Sequence, residues 1–436
     1  MVSRSVTKLS SFRRFALGVG LVVPIVAGCS GSQSPIGAPG AMPLTERQLI
    51  EQQPRRYHPP EYKVLFSFGS NVHGLYGAYP IAPLVYVNGT FYGTTEYGGT
   101  YGYGTVFGLS PTGQESVLYS FSPGADGAYP AAGLVYMHGR LYGTAQYGGS
   151  YGSGNYYHGY GVVFSITTKG EEHVLHSFGG GYDGAQPMAG LTAVGNTLYG
   201  TTFYGGQYRR GTVFSVSTSG RERVLHSFQD YDGILPRAGV INVNGVLYGT
   251  TLEGGSREHY NGGTVFKITT SGSETVVYTF GTKYGGGLEP ESSLVALNGL
   301  LYGTTIAGGA YGHGTAFSIS KASGQETVLH SFGYNSADGT SPAAGLIFLK
   351  GKFYGTTSGG GSDGAGIVFS LTKDGTEDEL HQFGVGYSND GGAPMANFID
   401  VKGTLYSTTA YGGINLPSCP YSGDNCAYGT IFALQP

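Results

Sequence analysis

Residues 133–149 read GLVYMHGRLYGTAQYGG and residues 161–178 read GVVFSITTKGEEHVLHSF, and this stretch decides the fold. It contains four short runs rich in β-branched and aromatic residues, separated by Gly turn signals. The Leu-Tyr-Gly-Thr core, or a near variant, recurs around Tyr92, Tyr142, Tyr199, Tyr248, Tyr302, Tyr354 and Tyr406, with spacings of 50, 57, 49, 54, 52 and 52 residues. A diglycine follows each copy, at Gly98-Gly99, Gly148-Gly149, Gly205-Gly206, Gly254-Gly255, Gly308-Gly309, Gly359-Gly360 and Gly412-Gly413. A period near 50 with four strands per unit is the signature of a propeller blade. The phase at the two ends is complementary. A strand of the fourth type, Val64 to Phe68, precedes the first unit, and the last unit stops after its third strand, Gly429 to Leu434. The reading is therefore all-β: a seven-bladed β-propeller of four-stranded antiparallel blades over residues 62–436. The N-terminal strand joins the last blade, and this closure removes exposed sheet edges.

The composition fits this repeat and excludes other classes. Of 436 residues 80 are Gly, 36 Tyr and none Trp, and only 11% are charged. Glycine is not every third residue, so collagen is excluded. A hydrophobic fraction of 40% with a net charge of -4 argues against disorder and against a nucleic-acid partner.

Residues 1–29 have the form of an export signal. Arg4, Lys8, Arg13 and Arg14 precede an apolar run from Phe15 to Ala27, too short to span a membrane. The run ends in Val26-Ala27-Gly28-Cys29, which resembles a bacterial lipobox, so Cys29 is the expected lipidation site and the membrane a partner through that lipid. An ordinary signal peptide and a twin-arginine signal are the weaker alternatives. Ser30 after the cysteine favours the outer membrane or cell surface. Residues 30–61, rich in Ser, Gly, Pro and Gln, read as a flexible tether. Cys419 and Cys426 share one loop and are expected to form a disulfide in an oxidising compartment, contributing about 2–3 kcal/mol. A zinc site is the poorer alternative, with no histidine nearby.

Strand order assigns the loops to faces. With strands A to D counted from the axis outward, the short A–B and C–D turns share one face. The B–C and D–A loops share the other, and the B–C loops vary, with 4, 11, 4, 7, 4, 5 and 15 residues. Variable loops on a rigid scaffold are where recognition concentrates. They carry Tyr97, Tyr101, Tyr103, Tyr147, Tyr151, Tyr156, Tyr157, Tyr204, Tyr208, Tyr260 and Tyr311. Flat apolar rings with polar tips, interleaved with Gly and Ser, suit a polysaccharide or protein ligand. The competing reading is that these rings only pack over the loops and order them.

Other recurring residues read as structural. Gly143 and its equivalents in the second strand, with Ser407 in the last blade, suggest close backbone approach. His176, His226, His330 and His381 share a column with Phe66, Tyr119 and Tyr278. Equivalent positions on different blades lie far apart, so these histidines do not converge on one metal. Asp126, Asp183, Asp232, Asp338 and Asp390 each precede Gly and read as turn formers. Calcium is the sharper reading, but one carboxylate per loop is too few. The inner-strand column Tyr86, Tyr136, Ala193, Asn242, Ala296, Phe348 and Asp400 offers a single carboxylate. No catalytic motif is present. No catalytic residue, metal or cofactor is assigned, and a monomeric propeller is expected. A propeller enzyme, such as a glycan hydrolase or lyase with carboxylates clustered at the axis, is the alternative function.

The unit quoted at the outset resembles the GloVer-type (choice-of-anchor) tandem repeat of bacterial exported proteins over roughly residues 62–436. That resemblance implies a surface or periplasmic location and no established activity or catalytic residues; the function expected from the residues is a lipid-anchored binding or scaffold module engaging glycan or protein through its loop-rich face. A weaker likeness to kelch propellers rests on the diglycine, but the absence of Trp departs from that pattern.

Overall fold

The computed structural model describes residues 60–69, 77–122, 124–151, 159–255, 262–384, 390–413 and 428–436, all within one compact unit, His58–Pro436. Among the described residues there is no helix, and seven four-stranded antiparallel sheets form a ring. Blade 1 consists of Val85–Val87, Thr90–Thr95, Thr105–Leu109 and Glu115–Ser120, its strands A to D. Blades 2 to 6 repeat this order. Blade 7 takes Ile399–Val401, Thr404–Thr409 and Thr430–Gln435 as A to C, and Glu61–Ser67 as D. Val64 pairs with Phe432 and Ser67 with Thr430, so the N-terminal strand completes the last sheet.

The core is a ring of aromatic pairs at the blade boundaries. Phe121, just after strand D of blade 1, meets Phe164 of blade 2 edge-on at 5.2 Å. The same pairing closes the ring, Phe383 with Phe432 at 5.4 Å and Phe68 with Phe107 at 5.2 Å. A second contact also repeats around the ring: Thr144 Oγ1 donates to the Ala189 carbonyl at 3.0 Å, and Thr408 Oγ1 donates to the Ala82 carbonyl across the closure at 3.4 Å.

These phenylalanines also explain the glycine column of strand B, and the explanation differs from close backbone approach. Gly143 pairs across the sheet with Phe164. A Cβ there would lie 2.7 Å from Phe164 Cζ and 2.7 Å from Leu134 Cδ2. The missing side chain is the seat of the cross-strand ring. Close backbone approach occurs elsewhere, at the axis, where a Cβ on Gly239 would lie 2.7 Å from the Gly190 carbonyl oxygen.

The A–B turns have the left-handed pairs that two-residue hairpins need, as at Asn88 (φ 49) and Gly89 (φ 90). The diglycine register needs one correction. In blade 6 the left-handed pair is Gly360 and Gly361, φ 77 and 75, while Gly359 occupies the position of Tyr97. On the loop face each D–A loop has a residue in the left-handed region just before its proline: Tyr79, Tyr129, Gln186, Leu235, Glu289, Ser341 and Ala393, φ 49 to 60. Such residues cost about 1 kcal/mol or more each. Paired backbone bonds hold them. Tyr129 N–H donates to the Tyr103 carbonyl of the preceding blade at 2.8 Å, and its own carbonyl accepts from Gln146 N–H at 3.3 Å. Ala393 does the same with Ala365 at 2.8 Å and Ala410 at 3.1 Å.

Strand D carries a β-bulge in every blade, as between Val106 and Phe107 against Tyr119 and Val117. The bulge aims the His/Tyr column outward, toward the next blade. The C–D turn of that next blade comes close: a Cβ on Gly170 would lie 2.4 Å from the Leu118 carbonyl oxygen. The residue two positions after the turn glycine is therefore brought against the preceding blade's column.

Candidate functional site

Three arrangements emerge. The first is aromatic and lies on the loop face. Tyr411, Tyr79, Tyr97, Tyr129 and Tyr147 form an unbroken edge-to-face chain, with centroids 5.0, 5.3, 5.3 and 5.8 Å apart. Tyr103 joins it through Tyr129 at 5.5 Å. The chain spans blades 7, 1 and 2. Tyr97 is 41% exposed and Tyr411 50%, so the arc offers ring surface to solvent. Burial, then the neighbouring Glu96 carboxylate, pushes the Tyr97 phenol up to about 12. Elsewhere in the ring the equivalent positions are Gln186, Tyr204, Leu235, Glu253, Glu289, Ala307, Ser341, Gly359 and Ala393.

The remaining sequence candidates do not join this arc. Tyr101 borders an outer cleft with Glu115, Tyr119 and Asp126. Tyr204 meets Phe203 edge-on at 4.7 Å, Tyr208 borders a cleft with Arg210 and Asp230, and Tyr311 meets Tyr334 at 5.6 Å. Tyr151 is exposed. Tyr156, Tyr157 and Tyr260, with Cys29, Cys419 and Cys426, lie outside the described residues. The arc instead recruits Tyr79, Tyr129 and Tyr411, which the sequence reading passed over. Tyr79 and Tyr129 share the position before an aligned proline, a visible signal.

The second arrangement is charged. Arg237 Nη1 meets Glu291 Oε1 at 2.5 Å. Glu96 also senses Arg237; its carboxyl is raised by burial, and the Tyr97 hydroxyl and Arg237 partly offset that. Glu291 is likewise raised by burial and drawn back by Arg237. The expected inner column contributes nothing here. Asp400 Oδ1 accepts from Gly403 N–H at 2.7 Å and Asn242 Oδ1 from Gly245 N–H at 2.9 Å, so both cap A–B turns.

The third arrangement lies on the outer rim, at the blade junctions. The column histidines face the Asp of their own D–A loop: His226 Nε2 and His381 Nε2 are hydrogen-bonded to Asp232 at 3.1 Å and Asp390 at 3.2 Å, while His176 and His330 stand off at 3.4 Å from Asp183 and 3.7 Å from Asp338. The aspartates also form the turns, as expected; Asp232 Oδ1 accepts from Gln229 N–H at 2.8 Å. A glutamate from the next blade then joins: Glu172, Glu222, Glu274 and Glu377 face the columns of blades 1, 2, 3 and 5. Burial holds each of these carboxyls up at about 7. For Asp183, burial acts upward, but the nearby His176 ring and the Gly179 N–H outweigh it and the carboxyl is lowered. Asp126, Asp183, Asp232 and Asp338 therefore each gain a second carboxylate nearby, which column-by-column reading could not see. The signal was a Gly-x-Glu triplet in register, from Gly113-Gln114-Glu115 to Gly375-Thr376-Glu377.

The family model of the Gloeobacter/Verrucomicrobia repeat matches residues 56–157 and 154–350. No curated protein matches the chain. Similar solved structures include the extracellular domain of a candidate one-component system from B. thetaiotaomicron, 9% identical with a TM-score of 0.48, covering 85% of this chain and 39% of that one. A candidate 6-phosphogluconolactonase from Bacteroides fragilis is 17% identical with a TM-score of 0.44, covering 74% of this chain and 87% of that one. A nidogen/laminin complex chain is 14% identical with a TM-score of 0.40, covering 64% and 91%. At such identities no ligand or activity transfers from these structures. The repeat match extends over residues 56–350, more than half of the sequence, and the chain belongs to the Gloeobacter/Verrucomicrobia repeat family.

Proposed function

We propose that this chain is a binding module of the bacterial envelope that holds a polysaccharide against the tyrosine arc of its loop face. The observation that supports it is the edge-to-face chain from Tyr411 to Tyr147, confined to one side of the ring. Mutually braced rings lose little rotamer freedom on binding, and they offer apolar faces to sugar C–H groups and hydroxyls to sugar oxygens. The lipid on Cys29 and the tether of residues 30–61 would present this face from the outer membrane or cell surface. A Cys419–Cys426 disulfide would brace the blade 7 B–C loop. The test is a glycan and cell-wall array probed with the soluble fragment from residue 58. A glycan signal lost in Tyr97→Ala and Tyr129→Ala supports the proposal; a signal only from protein ligands would overturn its glycan form. Membrane release of Cys29→Ala tests the anchor, and continued retention would refute it.

A catalytic reading is favoured by one observation, the Arg237–Glu291 ion pair, whose cation also acts on the Glu96 carboxyl. Two carboxyls raised by burial beside a cation could share acid and base roles in glycan cleavage. New reducing ends released by the wild type and not by Glu96→Gln would support it. Intact product after prolonged incubation would exclude it for that glycan.

A further inference from the structure

We propose that His226, Asp232 and Glu274, at the junction of blades 3 and 4, bind a divalent transition-metal ion of the Zn2+ type. The ligand atoms of these three side chains all lie within 4.8 Å of one another. His226 Nε2 and Asp232 Oδ2 are 3.1 Å apart. Two ligands each about 2.0–2.1 Å from a tetrahedral ion stand roughly 3.3 Å apart, so little adjustment is needed. The groups are already oriented. Asp232 is only 6% exposed, and its other oxygen is held by Gln229 N–H at 2.8 Å. The His226 ring stands edge-on against Phe228 at 4.9 Å. Glu274 Oε1 is buried without a hydrogen-bond partner among the described residues. Two carboxylates facing each other in a partly dry seat call for a cation. One nitrogen and two oxygens leave a position for water and favour Zn2+ over Ca2+.

The junction of blades 5 and 6 carries the same three residue types in a looser arrangement, with His330 Nε2 3.7 Å from Asp338 Oδ1. There the Asp338 side chain is 8% exposed, and Asp338 Oδ1, His330 Nε2 and Glu377 Oε1 all lack hydrogen-bond partners among the described residues. At the junctions of blades 4 and 5 and of blades 6 and 7, where the ligand set is broken, a phenol stands in the seat; at the junction of blades 7 and 1 Phe66 replaces the histidine, and both Glu115 oxygens are buried without a hydrogen-bond partner among the described residues. Between blades 4 and 5 the histidine becomes Tyr278, whose hydroxyl donates to Glu326 at 2.9 Å, and Gly286 stands at the aspartate position. Between blades 6 and 7 Tyr62 replaces the glutamate, stacking on His381 at 3.7 Å. At the junction of blades 3 and 4 the group set against Asp232 is instead His226 Nε2, at 3.1 Å.

The test is a Zn2+ titration of the full chain by calorimetry, with elemental analysis after desalting. Glu274→Gln keeps the shape, and His226→Tyr copies the residue that blade 4 already carries, so both are expected to fold. Each should weaken the tightest Zn2+ site by at least about tenfold. Glu326→Gln, at the phenol-filled junction, should leave it unchanged. Zn2+ should also raise the melting temperature of the wild type more than that of Glu274→Gln. No Zn2+ uptake by the wild type, uptake indifferent to both variants, or a preference for Ca2+ would overturn the proposal.

Discussion

The two sides of the loop face have one backbone and two chemistries. Around blades 7, 1 and 2 the mouth is Tyr411, Tyr79, Tyr97, Tyr129 and Tyr147; around blades 5 and 6 the same positions are Glu289, Ala307, Ser341 and Gly359. The backbone bonds do not change. Tyr129 N–H reaches the preceding blade's loop at 2.8 Å and Glu289 N–H at 2.7 Å, with φ 57 and 60. Glycine and alanine thus suffice for the loop geometry, and ordering the loops does not require tyrosine. The rings are surplus to the loop geometry, as the proposed binding role requires.

Several substitutions would break or sharpen this contrast. The largest effects belong to what the halves share. Phe121→Ala on the tyrosine side and Phe332→Ala on the other should each cost about 3–5 kcal/mol in chemical denaturation, since both rings are fully buried at blade boundaries. Strongly unequal losses would mean the halves are not equivalent scaffolds. Next, Tyr97→Ala with Tyr129→Ala should weaken glycan binding by about 30-fold, the ~2 kcal/mol of an interface hot spot. Its stability should fall far less than that of Phe121→Ala, because Ala307 and Gly359 already hold that geometry. A collapse in stability would restore the packing explanation.

The smallest effect is a pH dependence on the tyrosine side. Burial holds Glu115 up at about 7, against 4.5 for a free carboxyl. The folded state therefore binds more protons than the unfolded state between those values, so stability falls as pH rises from about 4.5 to 7. Glu115→Gln should make that part of the profile shallower without removing it, because Glu172, Glu222, Glu274 and Glu377 are also held up at about 7; an unchanged slope would show that Glu115 does not contribute.

Much of the fold was legible because its signals are local and repeat. The Gly turns, the four apolar runs and the offset between Val64–Phe68 and the final strand predict a closed seven-blade ring, and Thr430 pairing with Ser67 bears this out. The reason for Gly143 was not legible, because the ring it accommodates, Phe164, comes from a different strand. The same limit hid the rim. His226 and Asp232 are six residues apart and could be paired by eye, but Glu274 arrives from another blade. Contacts between blades depend on twist and bulge, which the repeat period does not encode. The arc was half legible: the loop tyrosines were visible, but their partners Tyr79 and Tyr129 sit before prolines in the D–A loops, outside the variable B–C loops that marked the candidates.

The most direct test is calorimetric titration of the folded chain with the cell-envelope polysaccharide that it retains best on the array, comparing the two halves. The account predicts that Tyr97→Ala with Tyr129→Ala loses binding, while Glu253→Ala with Ser341→Ala keeps the wild-type affinity at unchanged melting temperature. Equal affinity in both variants, or loss only in the second, would contradict it.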